Sequence, residues 1–192
     1  MFDTLQAYFA SRIALTPADI AIMKKLFIPR QLKKGEFLQR AGEISEYGAF
    51  VASGCLRSYV IDEKGKEHIV QFAPENWWLS DITSAMQKIP SRYFMDAIEL
   101  SSLLMIDLPS YEELLQQVPA VAKSYQAGLQ NQTAAKNQRI AASLGATAEE
   151  KYLDFIKTYP SLALRVPQHM IASYLGLTPE TLSRVRRQLA KK

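Results

Sequence analysis

Glu180, Arg184, Arg187 and Lys191 recur at steps of three or four, so a helix would set them on one outward face. Leu182, Val185 and Leu189 fall on the opposite face, with Thr181, Ser183 and Arg186 flanking it. A guanidinium presents two donors that match guanine O6 and N7, and a carboxylate accepts from cytosine N4. Arg184 and Glu180, with Thr181 beside them, are therefore candidates for reading DNA base edges. Thr178, Ser183, Arg186 and Arg187 are candidates for the DNA backbone, joined by Gln168 and His169 just upstream. Hydroxyls, guanidinia and a helix N-terminus all suit phosphate oxygens. The competing reading of Glu180 and Arg184 is a surface ion pair four residues apart, worth only about 0.2–0.5 kcal/mol.

Such a helix needs a support that holds it at a fixed angle. Pro167 can open one helix and Thr178-Pro179 a second, because proline suits the first helical position and threonine caps it. Gly176 lies between them, where a tight turn requires positive φ. Ala172 is small where two helices must cross closely, and Ile171, Leu175, Leu177, Leu182, Val185 and Leu189 supply the apolar contacts. A small residue, a glycine four later and a large apolar residue six after that is the spacing of a helix-turn-helix. The motif is predicted over Gln168–Leu189.

Charge distribution agrees. The 192 residues carry a formal charge of +4. Residues 151–192 hold eight Lys/Arg against two Asp/Glu, whereas residues 1–150 are slightly acidic. A basic end behind a near-neutral body points to a polyanion partner. With 48% apolar and 22% charged residues the chain is expected to fold and to bury a core. No stretch approaches the ~20 apolar residues needed to cross a bilayer. Met1–Ala10 lacks the pattern of a signal peptide, and the single Cys55 allows no internal disulfide, so a cytoplasmic, membrane-free protein is expected.

Upstream, two further regions are distinguished. Leu32–Leu108 reads as closely spaced strands with glycine turns at Gly35, Gly42, Gly54 and Gly65; Asp62-Glu-Lys-Gly65 looks like a hairpin turn. This predicts a small antiparallel sandwich or barrel, preceded by a helix that Thr16 caps and Pro17 opens. Leu15, Ile22, Leu26 and Phe27 are expected to pack on it. A short helix follows at Pro109, and the proline-free stretch Ala120–Leu144 predicts a long one. Its seam of Val121, Tyr125, Gly128, Gln132, Ala135, Arg139 and Ala142 fits either a helix lying on its own domain or a dimer helix. Gly145 is expected to end it, with Thr147 and Glu150 forming a capping box for a helix over Ala148–Thr158. Leu162–Val166 alternates like a short strand.

Ile171-Ala-Ser-Tyr-Leu-Gly-Leu-Thr-Pro-Glu-Thr-Leu-Ser-Arg184 resembles the DNA-reading signature of the Crp/Fnr family. The resemblance covers the whole chain. Lys34-Gly35-Glu36-Phe-Leu, Gly42, Phe50-Val-Ala-Ser-Gly54-Cys-Leu-Arg57 and Asp62-Glu-Lys-Gly65 resemble that family's β-roll, and the long helix falls where the family's dimer helix lies. The resemblance implies an α+β chain in three parts. These are an antiparallel β-roll of the cyclic-nucleotide-binding type over 1–118, a long dimerisation helix over 119–145 and a helix-turn-helix domain over 146–192. It implies a homodimeric transcription regulator on double-stranded DNA, with RNA polymerase as a further partner. Glu180 and Arg184 match the family's main base-reading pair, and Thr178 and Ser183 match positions near the DNA backbone. Pro179 stands where the cyclic-AMP receptor has a base-reading arginine, so a different preferred site is expected. The chain as given stops at Lys192, so the wing strand found in many relatives is expected to be absent or very short.

Cyclic-nucleotide binders of the family hold the phosphate with a glycine-glutamate pair and, about ten residues on, an arginine-serine. Leu79 and Ser80 align with the first pair, and Ser91 falls where the arginine belongs; Arg92 is one place off, and Asp81 would repel a phosphate unless paired. Cyclic AMP is therefore not the expected effector. Trp78, Ser80, Asp81, Ser91, Arg92 and Tyr93 remain the candidate effector pocket, with the aromatic residues equally readable as core. An iron–sulfur cluster needs about four cysteines. Haem would need Cys55, His68 or His169 as ligands, so no cofactor and no metal is expected. Two scattered histidines and one cysteine offer no nucleophile–base set, and no catalytic residue is assigned. The alternative to a sequence-specific reader is a ligand- or protein-binding β-roll sensor whose C-terminal domain only supports it.

Overall fold

A computed structural model describes residues 1–123 and 145–190. The chain divides into two compact units, one of residues 1–60 and 71–129, the other of residues 61–70 and 130–192.

The first unit opens with a helix that the sequence did not announce, α1 (Phe2–Ala10), whose Leu5 and Phe9 are buried one turn apart. Helix α2 (Pro17–Leu26) begins in a full capping box. Thr16 Oγ1 accepts from the Asp19 N–H, and Asp19 accepts from the Thr16 N–H at 2.8 Å. The Thr16 N–H and then the Thr16 hydroxyl, each donating to Asp19 Oδ2 at 2.8 Å, hold the Asp19 carboxyl below its ordinary range. Eight strands follow: β1 (Ile28–Leu32), β2 (Phe37–Gln39), β3 (Tyr47–Ser53), β4 (Leu56–Ile61), β5 (Glu67–Ala73), β6 (Trp78–Leu79), β7 (Phe94–Ala97) and β8 (Ser101–Asp107). A short helix α3 (Ile82–Gln87) interrupts them, and α4 (Leu108–Gln117) follows β8.

The strands form two four-stranded sheets, ordered β1-β8-β3-β6 and β2-β7-β4-β5, with antiparallel pairing at each ladder that is resolved in register. Alternation along each strand separates two cores, because successive side chains point to opposite faces. Val51, Leu103 and Met105 fill the roll interior with Leu56, Leu79, Met95 and Ala97. Phe50, Leu104 and Ile106 point the other way and meet Leu5, Phe9, Met23, Phe27 and Leu114. Leu26 and Phe27 are buried there, and Leu15 and Ile22 pack against them, as their spacing predicted.

The β3–β4 corner depends on Gly54. Its φ is +87°, and a Cβ there would lie 2.4 Å from Ser101 Oγ and 2.5 Å from the Leu100 carbonyl. Gly54→Ala combines left-handed strain with a backbone overlap, and should lower stability by about 2–4 kcal/mol. Chemical denaturation checks this; a loss under about 1 kcal/mol would show that the corner yields.

Across the second sheet, β4 and β7 carry a buried ion pair in register: Arg57 Nε–H donates to Asp96 Oδ1 at 2.7 Å and an Arg57 Nη2–H to Asp96 Oδ2 at 3.0 Å. Arg57 and Asp96 are 7% and 5% exposed. The guanidinium also lies 4.2 Å from the centre of the Tyr59 ring, which stacks on Phe94.

In the second unit, helix α5 (Ala148–Thr158) starts in the expected capping box of Thr147 and Glu150. One expectation is corrected. Leu162–Arg165 is a short helix, α6, not a strand: Leu162 is buried while Leu164 is 91% exposed. A helix rotates about 100° per residue, so Leu162 and Leu164 point to opposite sides, whereas a strand would have put both on one face. The helix expected to end at Gly145 does end there, Gly145 being its last helical residue, though without the positive φ of a left-handed cap. Residues 119–123 are helical, and the rest of the predicted 119–145 dimerisation helix up to 144 lies outside the described residues.

Candidate nucleic-acid interface

Two helices, α7 (Gln168–Leu175) and α8 (Pro179–Leu189), carry the predicted motif. The end of α7 is closed by hydrogen bonding. Gly176 takes φ +67°, its N–H reaches the Ser173 carbonyl at 3.1 Å, and the Leu177 N–H reaches the Ala172 carbonyl at 2.9 Å. That is a Schellman closure, which fixes the direction in which the chain leaves the helix. Thr178 then caps α8 by accepting from the Thr181 N–H at 3.3 Å, and Pro179 occupies the first turn. Between the helices Ile171, Ala172 and Leu182 are fully buried and Val185 is 5% exposed. Ala172 thus permits the close crossing that its size predicted.

Behind the pair lies an aromatic support. Phe155, Tyr159 and Tyr174 meet at ring-centre distances of 5.4–5.8 Å, and the two tyrosine hydroxyls are 3.4 Å apart. Rings at such spacing add directional packing to their apolar burial. Phe155 and Tyr159 stand four residues apart, the spacing that sets them on one side of α5.

The outward side of α8 is polar and accessible. Glu180, Arg184 and Arg187 are exposed, and Thr181, Ser183 and Arg186 are half-buried at its edges. Gln168 and His169 are exposed in the first turn of α7. Lys191 lies outside the described residues. Thr178 is exposed, but its hydroxyl is engaged at the cap and also donates to Thr181 Oγ1 at 3.2 Å. The Glu180 N–H and the Thr178 hydroxyl hold the Glu180 carboxyl below its ordinary range. This favours the ionised carboxylate, the acceptor form that a cytosine amino group would require.

One contact in this unit had no sequence signal. Ser173 Oγ accepts from the Ile69 N–H at 3.0 Å and donates to the Glu67 carbonyl at 2.9 Å. The hairpin bearing those groups turns as predicted at Asp62–Gly65. Asp62 Oδ1 accepts from the Lys64 and Lys66 N–H groups, and its other oxygen lies 2.8 Å from His68 Nε2. His68, then the Lys66 amide, hold the Asp62 carboxyl below its usual range.

The six residues proposed for an effector pocket have distinct surroundings. Trp78 packs on Phe50 and Phe27, at 5.3 and 6.0 Å between ring centres. Tyr93 packs against the roll interior instead. Ser91 is buried and donates to Asp81 Oδ2 at 2.7 Å, while Asp81 Oδ1 caps α3 at the Ser84 N–H. Ser80 and Arg92 are exposed. Cys55 is buried directly before β4. Among the described residues, no three His, Cys, Asp or Glu side chains are grouped to hold a metal, and no helix is long and apolar enough to cross a membrane.

A β-roll bearing helices, with a capped recognition helix that buries leucine and valine and exposes Glu180 and Arg184, defines a helix-turn-helix regulator. Residues 29–118 match the family model of the cyclic nucleotide-binding domain and residues 138–192 that of the Crp-like helix-turn-helix domain. The chain belongs to the Crp/Fnr family of DNA-binding transcription regulators. It is 27% identical to the transcriptional activator protein Anr of Pseudomonas protegens over 169 residues, 81% of this chain and 68% of that one. Identity to the transcriptional activator protein FnrA of Stutzerimonas stutzeri is also 27%, with the same coverage. The structure of FixK2 from Bradyrhizobium japonicum superposes with a TM-score of 0.72 at 25% identity, covering 86% of this chain and 85% of that one.

Proposed function

We infer that the protein works as a cytoplasmic homodimer that places two copies of α8 in successive major grooves of a near-palindromic DNA site. Glu180, Thr181 and Arg184 read base edges, while Gln168, His169, Ser183, Arg186, Arg187 and the capped start of α8 at Thr178 hold the DNA backbone. The observation that carries this reading is the two-sidedness of α8: Leu182 is fully buried while Glu180 and Arg184 are exposed on the side away from it. The working division is a β-roll over 1–118, a dimer helix over 119–145 and a reader over 146–192. Two relatives named as transcriptional activators favour activation, with RNA polymerase as the downstream partner and no catalytic activity of its own.

Cyclic AMP is not the effector in this reading. The position aligned with the family's phosphate-binding arginine is Ser91, whose hydroxyl is buried and bonded to a carboxylate. An anion there would meet Asp81 and no compensating guanidinium on that side chain.

Genomic mapping of the tagged protein supplies the site, and titration of that DNA against salt tests the mode of binding. Each phosphate neutralised should contribute a slope of about −0.9 in log K against log salt. A shallow slope, with equal affinity for mapped and scrambled DNA, would replace this reading with a β-roll sensor whose C-terminal domain is not a sequence-specific reader.

A further inference from the structure

Among the described residues, three helices begin at a threonine cap, and the third differs from the other two. At α2 and α5 the third helical residue is acidic, Asp19 or Glu150, and its carboxylate is used up at the cap. It accepts from both the backbone N–H and the hydroxyl of Thr16 or Thr147, each at 2.8 Å. Those two threonines give their proton to a carboxylate. At α8 the third residue is Thr181, and the carboxylate stands one place earlier, at Glu180. One place is about 100° of helix rotation, so Glu180 is exposed and closes no capping box.

The Thr178 hydroxyl is therefore used differently. It accepts from the Thr181 N–H at 3.3 Å, which caps the helix, and it donates its proton to Thr181 Oγ1 at 3.2 Å. Cap and proton are separable. Capping needs only an acceptor, which an aspartate supplies as well as a threonine does.

What the proton adds is a constraint on Thr181. A threonine hydroxyl has one proton and two lone pairs. With a lone pair of Thr181 taken by Thr178, its own proton stays available, and a hydroxyl that accepts one bond donates the next more strongly. The Thr178 hydroxyl also acts on Glu180, where it follows the Glu180 N–H in holding that carboxyl below its ordinary range. Both side chains that it steadies are those assigned to base edges.

Resting on the reading that α8 enters the major groove, we propose that Thr178 is a positioning residue for base selection, its hydroxyl presenting Thr181 as a hydrogen donor beside the acceptor Glu180. Glu180 then takes an amino group, N4 of cytosine or N6 of adenine. Thr181 takes an acceptor, a purine N7, guanine O6 or thymine O4. The first turn of α8 thus carries one acceptor and one donor in fixed order, and half-sites that reverse the order are rejected.

Selection of duplexes randomised across the half-site, with the full-length protein, tests this. Glu180→Ala and Thr181→Ala identify the base pairs concerned. Thr178→Asp keeps the capping acceptor but has no proton to donate. Its added charge weakens binding to every sequence alike, so preference rather than affinity is the readout. Preference at those base pairs should fall roughly two- to tenfold, the contribution of one hydrogen bond. Thr178→Ser, which has both acceptor and proton, should restore it. If Thr178→Asp does not fold, Thr178→Gly takes its place, glycine being tolerated at a cap. Unchanged preference in either variant overturns the proposal and leaves Thr178 as a cap alone. A loss in Thr178→Ser as large as in Thr178→Asp overturns it too, as does a preference indifferent to Thr181→Ala. Equal binding of all duplexes by the unsubstituted protein overturns the reading of α8 itself and the proposal with it. Where that protein selects and Thr178→Asp selects alike, only the proposal fails.

Discussion

Arg184→Ala should leave the protein folded and remove most of its preference for its own DNA site. The residue is exposed on α8, where a substitution changes stability by no more than about 0.5 kcal/mol. A bidentate contact to guanine is worth about 1–3 kcal/mol of discrimination. A twofold dimer loses it twice, so the ratio of specific to non-specific affinity should fall by roughly 30-fold to 10⁴-fold. Arg187→Ala, assigned to the backbone, should instead weaken binding to all sequences alike and make the salt slope shallower by about one unit. Competition titrations with mapped and scrambled duplexes measure both. Equal behaviour of the two variants would mean that Arg184 only attracts phosphate.

Asp96→Ala should cost about 3–5 kcal/mol, because it leaves the Arg57 guanidinium buried without its bidentate partner. Arginine cannot escape by losing its proton, as a buried lysine would. A typical domain has about 5–15 kcal/mol of stability in total, so the variant should be close to unfolding at 37 °C. Replacing both partners, as Arg57→Leu with Asp96→Leu, should cost much less, since neither desolvated charge remains. Denaturant midpoints of the three proteins decide this. If the double replacement is as damaging as Asp96→Ala, the pair fixes the geometry of β4 and β7 through something other than its charges.

What the sequence disclosed was local. The Thr147–Glu150 capping box, the Asp62–Gly65 turn and the left-handed Gly176 each depend on residues within a few positions of one another, and each is present. The reader helix was legible because capping residue, buried face and exposed charges coincide in twelve residues, Thr178–Leu189. Long-range polar pairing was not legible. Arg57 and Asp96 stand 39 positions apart, and Ser173 stands 104 from Ile69. Nothing near any of them in the chain announces a partner. The strand expected at Leu162–Val166 failed for a different reason: five residues are too few to distinguish a period of two from one of 3.6.

The hydroxyl of Ser173 has a consequence for how this reader can be moved between proteins. Its two backbone partners, Glu67 and Ile69, lie in the hairpin that shares a compact unit with residues 130–192. A chimera made by a single crossover after residue 130 would transplant α7 without the strand that Ser173 grips. The recipient would have to present an N–H and a carbonyl of its own at the same spacing. The heritable module is therefore not one contiguous tail, and exchanging DNA specificity between relatives requires three splice points, one pair around 61–70 and one before 130.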